Sequence, residues 1–469
     1  MAKPYDIVVI GSGPGGYRAA VLGALRGLKV AIVEQAQWGG CCLNRGCVPK
    51  KTWHHSARLI AASRHRMSER GVIGELRGDL AAAWTHQKGV VGTVRDSYTD
   101  YMKRLGIDAL EGHAQLKDAT RVQVQLADGE PRLLDTRHVI LATGSSPRVP
   151  ETLPATPGRI LTTDMLFDAP VPEGRRVAVV GSGVVAVEFS YILAMLGCEV
   201  TWLARSSLLR KAHYSPQAMA VLRQALGREG VEPRSEDGRI RSSEVTDGGV
   251  RITLEGGDTV EVDWVLLGTG RHANTDGLGL EAVGVETDSR GFVRCDQYLQ
   301  TSVPNVYAIG DCASPIMTAN KALADATVAV ANILEARSRR RDDLWVPFVI
   351  YSAVELARVG MDEDMAEDEE LEPAVGFAAF ETSPRALGQD DTDGFVRLIG
   401  DMDSGALLGG EIVGAEAGEL IHLLALAPDR DTALRWLAEG RFNHPARSEE
   451  VLNATETMAS KWGMQDLIF

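Results

Sequence analysis

Cysteine is scarce in this chain: six in 469 residues, at Cys41, Cys42, Cys47, Cys198, Cys295 and Cys312. So few in so long a chain exclude the disulfide framework of small secreted domains. In a reducing compartment a close pair points to redox chemistry or metal binding instead. Zinc needs further ligands at a suitable spacing, and His54 and His55 do not supply it, so no metal is expected. Positive charge is also short, with 49 Lys and Arg against 64 Asp and Glu and a net charge of −15. That balance argues against nucleic acid or an anionic membrane as a partner. No apolar run is long enough to cross a bilayer. No secretory pattern precedes the apolar run at 7–10, so the expected location is cytoplasmic. What is abundant is glycine, 49 residues, which suits many tight βα turns in a chain long enough for two to four domains.

Two of the scarce cysteines stand together in Gly39-Gly-Cys-Cys42-Leu-Asn-Arg-Gly-Cys47-Val-Pro-Lys50. The Gly-Cys-Val-Pro run predicts a turn entering a helix, because proline suits the first helical turn and no later one. A thiol at a helix N-terminus sees the positive end of the helix dipole, which favours the thiolate. Cys42 and Cys47 thus read as a pair that cycles between dithiol and disulfide.

A strand at 5–10 leads into Gly11-Ser-Gly13-Pro14-Gly15-Gly16, a helical run, and a strand at 29–33 followed by Glu34. In that register the glycines allow a tight turn and close phosphate approach, and the acid accepts ribose hydroxyls. The pattern recurs as a strand at 176–180, Gly181-Ser-Gly183-Val-Val-Ala186, a helix, and a strand at 199–203. Two units imply two dinucleotides. After the second unit the acid position holds Ala204, followed by Arg205, Ser206 and Ser207, with Arg210 and Lys211 further on. Arginine with serines suits a 2′-phosphate, so this loop favours NADP over NAD; the alternative is that both arginines merely face solvent. The strand at 139–143 with Gly144, and the run at 266–271 that mirrors it, read as crossover points between domains. A short strand near 301–311 ends in Gly310-Asp311.

Taken together, these motifs resemble the flavoprotein disulfide reductases, the family of dihydrolipoamide dehydrogenase and glutathione reductase, over essentially the full length. The resemblance rests on the cysteine pair, both fingerprints, Thr143-Gly144, Gly310-Asp311 and a C-terminal His444-Pro-Ala-Arg-Ser-Glu449. It implies an α/β fold of tandem Rossmann-like FAD and NAD(P) domains with a C-terminal α+β dimerisation domain. The expected divisions are 1–147 for FAD, 148–270 for NAD(P), 271–344 for a central domain completing the FAD site, and 345–469 for the interface domain.

The same resemblance supplies roles. Gly40, Lys50, Lys51, Gly112, Ala114 and Ala319 join Gly11, Gly13, Pro14, Gly15, Gly16, Glu34, Thr143, Gly144, Gly310 and Asp311 around FAD, with Asp311 placed to hydrogen-bond a ribityl chain. Gly270 joins Gly181, Gly183, Ala186, Glu188, Arg205 and Arg210 around NAD(P). Lys50 sits by the flavin and pairs with Glu188, with Lys51 as fallback. His444, oriented by Glu449, acts as acid–base in the active site of the other subunit, so the enzyme is a homodimer. Cys42 faces the substrate and Cys47 the flavin. The expected partner is a lipoyl domain or lipoate-carrier protein. The alternative is NADPH-dependent reduction of a low-molecular-weight disulfide such as glutathione disulfide, which Val21 opposes, because glutathione reductases carry an arginine there. A non-catalytic flavoprotein subunit has no reason to keep Cys42, Cys47, His444 and Glu449 together.

Several positions depart from that pattern. Arg447 is expected to place a charge near the substrate mouth. Cys41 replaces a threonine and reads as a small buried residue, with disulfide exchange with Cys42 as the alternative. Cys198, Cys295 and Cys312 read as structural. The acidic run at 362–372 reads as a solvated helix face or loop. An alternating strand is expected at 394–399 and a helix from about Ser448.

Overall fold

The computed structural model describes residues 3–65, 71–127, 129–234 and 238–469. Its first sheet is built around the strand Tyr5–Ile10, flanked in parallel by Val30–Glu34 and Pro131–Leu141. Asp108–Asp118 and Val306–Ala308 extend it at the two edges, also in parallel. Ile7, Val8 and Val9 are wholly buried, as a strand covered on both faces requires. Two of these strands run on past the sheet and form an antiparallel meander with Arg121–Leu126. The sheet is discontinuous in sequence, since its last strand comes from beyond residue 300.

The second parallel sheet has the order Pro233–Arg234, Glu199–Leu203, Arg176–Val180, Trp264–Leu267, Ile160–Thr162. An antiparallel layer of Ile240–Thr246, Gly249–Leu254 and Thr259–Val262 covers it. The chain passes into and out of this unit through a two-stranded ribbon, Ser145–Pro147 against Arg271–Ala273. The two expected crossover points therefore lie side by side.

The C-terminal sheet is antiparallel, in the order Phe348–Tyr351, Glu355–Gly360, Leu407–Val413, Phe395–Asp401, Pro373–Ala379. Helices Arg430–Ala438 and Glu449–Trp462 cover one face, burying Leu434, Ala454 and Met458 against Leu398 and Ala374. The expected strand at 394–399 is Phe395–Asp401, and Ser448 is the N-cap of the expected helix. Inside the acidic run, Asp362 caps a one-and-a-half-turn helix, Glu363–Asp368, by accepting the Met365 N–H. Glu363 is not wholly solvated, for it pairs with Arg397. Among the described residues no helix is long and apolar enough to cross a membrane.

Candidate active site

The first glycine loop is shaped by two close approaches. A Cβ on Gly11, which has φ +101°, would lie 2.3 Å from the Ala142 carbonyl oxygen. One on Gly16 would lie 1.9 Å from the Gly11 carbonyl oxygen. Neither position admits a side chain, so the loop backbone stays bare at the N-terminus of helix Pro14–Leu25. Ser12 fixes the acid at the strand end: its Oγ and N–H donate to Glu34 Oε2 at 2.6 and 3.0 Å, and Gly39 N–H donates to the Ser12 hydroxyl at 3.0 Å.

From this loop a cavity of about 710 Å³ runs to the cysteines. Gly11, Gly13, Pro14, Gly15, Glu34 and Gly40 line one stretch; Gly112, Ala114, Thr143, Gly144, Gly310, Asp311 and Ala319 line the middle. Cys42, Cys47, Lys50, Lys51 and Glu188 close the far end. Of the residues expected around FAD, Gly16 alone does not line it; it lies beneath the loop and sets its curvature. The cavity's volume, its bare glycine cradle and its acid fit an adenine dinucleotide extended toward a dithiol.

Cys42 lies on a short helix, Gly40–Arg45, that the sequence did not suggest, while Cys47 opens the expected one, Cys47–His65. Both are thiols, as are the other four cysteines. Their surroundings drive their acidities apart. The Cys42 thiol donates to the Cys47 sulfur, which raises Cys42 well above the usual thiol range, and burial adds to the rise. Receiving that hydrogen bond lowers Cys47 despite burial, helped by the charges of Lys50 and Lys51 and opposed by Glu188. Lys50 Nζ lies 2.7 Å from Glu188 Oε1. Lys51 donates instead to Tyr351 Oη at 3.0 Å, so Lys50 is the lysine paired with Glu188.

Cys41 has no such activation. Burial pushes its thiol up to about 11, and its sulfur receives a weak contact from Arg271 Nη2 at 3.5 Å. Cys41 is half-buried and lines the cavity beside Cys42. Arg271 also holds Ser145, through its hydroxyl at 2.7 Å and its carbonyl at 2.6 Å, and lies 3.6 Å from Asp164. Ser145 in turn donates to Asp311 Oδ2 at 2.6 Å, and burial raises the Asp311 carboxyl.

In the second glycine unit Gly181 repeats the close approach, with φ +140° and a would-be Cβ 2.3 Å from the Gly268 carbonyl oxygen. Here the side chains are exchanged: where the first unit sets Gly16 against Ala142, the second sets Ala186 against Gly268. Ala186 therefore packs directly on Gly268. Arg205 and Arg210 are exposed and form no ion pair among the described residues, while Ala204 is buried and Ser206 Oγ lies 2.8 Å from Ser182 Oγ. Gly183 and Gly270 have open space where a Cβ would stand. None of Gly181, Gly183, Ala186, Arg205, Arg210 and Gly270 lines the long cavity; Glu188 alone of the second set does.

At the C-terminal end His444 Nδ1 lies 2.8 Å from Glu449 Oε1, and Ala446 N–H donates to Glu449 Oε2 at 2.7 Å. These two contacts hold the Glu449 carboxyl below its ordinary range, the backbone N–H contributing most. The His444 side chain is 73% exposed and does not line its own subunit's cavity. Arg447 is not exposed at this end of the chain. It turns inward to 3% exposure, donates to Gln389 Oε1 and the Asp391 carbonyl, and lies over the Phe380 ring, because inward lie a carboxylate, an amide and an aromatic face.

The sequence reading missed Arg271, Ser12 and Tyr351, whose N–H donates to Glu188 Oε1 across 163 residues of chain. Arg271 follows a glycine already singled out, so an arginine in the crossover turn was a usable signal. Tyr351 had none.

The chain belongs to the pyridine nucleotide-disulphide oxidoreductase family. That family's model matches residues 5–326, and its dimerisation domain matches residues 346–455. The chain is 35% identical over 466 residues to a dihydrolipoyl dehydrogenase of Thermus scotoductus, covering 97% of this chain and 98% of that protein. It is 33% identical to the dihydrolipoyl dehydrogenase of Chlorobaculum tepidum over 459 residues, 97% of each. In fold it is similar to the crystal structure of LpdA from Mycobacterium tuberculosis, with a TM-score of 0.89, 27% identity, and coverage of 96% of this chain and 98% of that one.

Proposed function

We propose that the chain oxidises a dihydrolipoyl dithiol carried on a protein, using the Cys42–Cys47 pair, bound FAD and a pyridine nucleotide. The observation that carries this reading is the hydrogen-bonded thiol pair with opposed acidities at the end of a dinucleotide-shaped cavity, beside Lys50–Glu188. FAD would be held by the cavity residues named above, and when bound it accepts the electron pair of the dithiol and passes it on as hydride to the nucleotide.

The chain's own residues do the rest. In the homodimer His444, held by Glu449 at Nδ1, presents Nε2 to the other subunit's substrate and takes a thiol proton. The substrate thiolate attacks Cys42 of the oxidised pair, forming a mixed disulfide and releasing Cys47 as thiolate beside Lys50. His444 passes the first proton to solvent, takes the proton of the second substrate thiol, and gives it to Cys42 as that second sulfur displaces it. Cys47 stays a thiolate beside Lys50, so one proton is released in all. Two substrate thiols have become one disulfide, and the enzyme disulfide has become a thiol and a thiolate.

For the nucleotide, buried Ala204 in place of an acid, with Arg205 and Arg210 exposed beside it, supports NADP over NAD. The relatives named dihydrolipoyl dehydrogenase support the lipoyl substrate. Six cysteines in 469 residues, too few for a secreted disulfide framework, support a cytoplasmic location.

The test compares kcat/KM for dihydrolipoamide, isolated lipoyl proteins and glutathione disulfide, each with NAD and NADP. Turnover of lipoyl substrates by the wild type, abolished in Cys47→Ser together with the long-wavelength absorbance of the reduced enzyme, is expected. No turnover of either lipoyl substrate overturns the reading. Arg205→Ala should cut kcat/KM for NADP roughly 10-fold or more while sparing NAD, since a charge-assisted contact contributes about 1.5–3 kcal/mol.

A further inference from the structure

The interface sheet sends two aromatic residues of one strand, Phe348 and Tyr351, into the cavity that holds the thiol pair. Tyr351, the last residue of the strand Phe348–Tyr351, lines the cavity alongside Lys50, Lys51 and Glu188. Its ring is shared by two lysines. Lys50 Nζ stands 4.5 Å and Lys51 Nζ 4.2 Å from the ring centroid, and Lys51 also donates to the phenol oxygen at 3.0 Å. Its backbone joins the same group, since Tyr351 N–H and Lys50 Nζ both donate to Glu188 Oε1, at 2.9 and 2.7 Å.

The ring is held in register from several sides. Ser352 Oγ donates to the Val187 carbonyl at 3.1 Å, and the Ser352 carbonyl lies 2.9 Å from His54 Nε2 on the cysteine helix. On the far side the phenol closes over Gly418, where a Cβ would lie 2.6 Å from Tyr351 Oη. Strand, cysteine helix and the helix Val184–Met195 thus meet at two consecutive residues.

We propose that Tyr351 is a positioning residue for the redox centre: its ring fixes the Lys50 and Lys51 ammonium groups toward Cys47, so that ionisation of the flavin-side thiol depends on the interface domain. Cations on an aromatic face lose the freedom that long lysine stems otherwise have, and their field at a nearby thiolate is then steady rather than averaged away. The other groups facing Cys47 are Cys41 and Cys42 from the preceding helix, Glu188 from Val184–Met195, and Tyr98 from Leu80–Arg104. Substituting Tyr351 changes none of these side chains, and the N–H to Glu188 belongs to the backbone. The ring also meets His54 edge-on at 5.6 Å between centroids, so the contrast between ring and no ring reports the lysines together with that contact, and Lys51→Met separates the two. The inference rests on the assignment of Cys47 as the flavin-side thiolate.

The test uses the reduced holoenzyme and two readouts. One is the pH midpoint of its long-wavelength absorbance. The other is the pH dependence of alkylation of the reduced pair by iodoacetamide, with the modified cysteine identified by mass. Tyr351→Leu is expected to raise both midpoints by about 0.5–1 unit, while Tyr351→Phe, which keeps the ring, stays within about 0.3 unit of wild type. Lys51→Met leaves the ring's site filled and is expected to raise the midpoints by a smaller amount, so the inference stays testable if the leucine variant does not fold. Unchanged midpoints in Lys51→Met and in a folded Tyr351→Leu overturn it, as does a phenylalanine variant that shifts as far as leucine. Failure of the Cys47 assignment looks different: Cys47→Ser would then keep the absorbance, whatever Tyr351 does.

Discussion

Cys42 and Cys47 are the same residue type given opposite acidities by one hydrogen bond and two lysines. His54, one turn beyond Lys50, shows the same control in reverse. Burial holds its imidazole down to about 3, with Nε2–H donating to the Ser352 carbonyl, so it stays neutral beside Lys50, Lys51 and Arg58. The unfolded chain binds a proton at this residue below about pH 6.5, and the folded chain does not until about 3. Lowering pH therefore favours unfolding across that window, by up to about 1.4 kcal/mol per pH unit. His54→Gln should flatten the fall of Tm between about pH 6 and 4; an unchanged slope in scanning calorimetry would refute this. At the other end of the chain, Glu449→Gln should lower kcat about 10²-fold with little change in KM, because it removes the partner that orients His444. Stopped-flow reduction of the disulfide by dithiol substrate checks it. Arg447→Leu exchanges a buried guanidinium, bonded to Gln389 and the Asp391 carbonyl, for an apolar group. Loss of about 3 kcal/mol or more of stability is expected in chemical denaturation.

Helices and strands set where these side chains can stand. The two glycine units show how one element type is tuned twice: Gly16 against Ala142 in the first, Ala186 against Gly268 in the second. Gly16→Ala drives a Cβ into the Gly11 carbonyl, a backbone atom that cannot yield, and should abolish retention of the flavin, measured as bound flavin per subunit. Ala186→Gly leaves the second loop intact and should cost only about 0.5–1 kcal/mol, the usual difference between the two residues in a helix. The local elements were legible in sequence because their signals are local. Glycines at fixed offsets, apolar runs and a proline at the first helical turn located both fingerprints, the Cys47 helix and the helix capped by Ser448 to within a residue or two. The short helix Gly40–Arg45 was not legible, since Gly39 and Gly40 read as loop residues and the helix depends on packing against its neighbours.

Over the whole molecule the site is assembled from distant pieces of chain. Strand Val306–Ala308 completes the first sheet, and Tyr351 reaches Glu188 from the C-terminal sheet. His444 and Glu449 are paired but stand outside their own subunit's cavity, as a residue serving the other subunit would. Co-expressing Cys47→Ser and His444→Ala chains should therefore restore activity that neither homodimer has, because the mixed dimer keeps one site with both an intact thiol pair and an intact histidine. Purified mixed dimers, carrying different tags, should reach about half the wild-type rate if the two sites act independently; no recovery would place His444 in its own subunit's chemistry.

By itself the sequence determined the two dinucleotide units, the thiol pair, the His444–Glu449 couple and the family they resemble, because each is a pattern between near neighbours along the chain. The tertiary structure alone decided which lysine meets Glu188, that Arg447 faces inward, that Cys41 lies against Arg271, and that Tyr351 stands beside Lys50 and Lys51. Those outcomes turn on contacts between residues tens to hundreds of positions apart, where partner and direction are fixed by how whole elements pack. Spacing in the sequence records nothing of that.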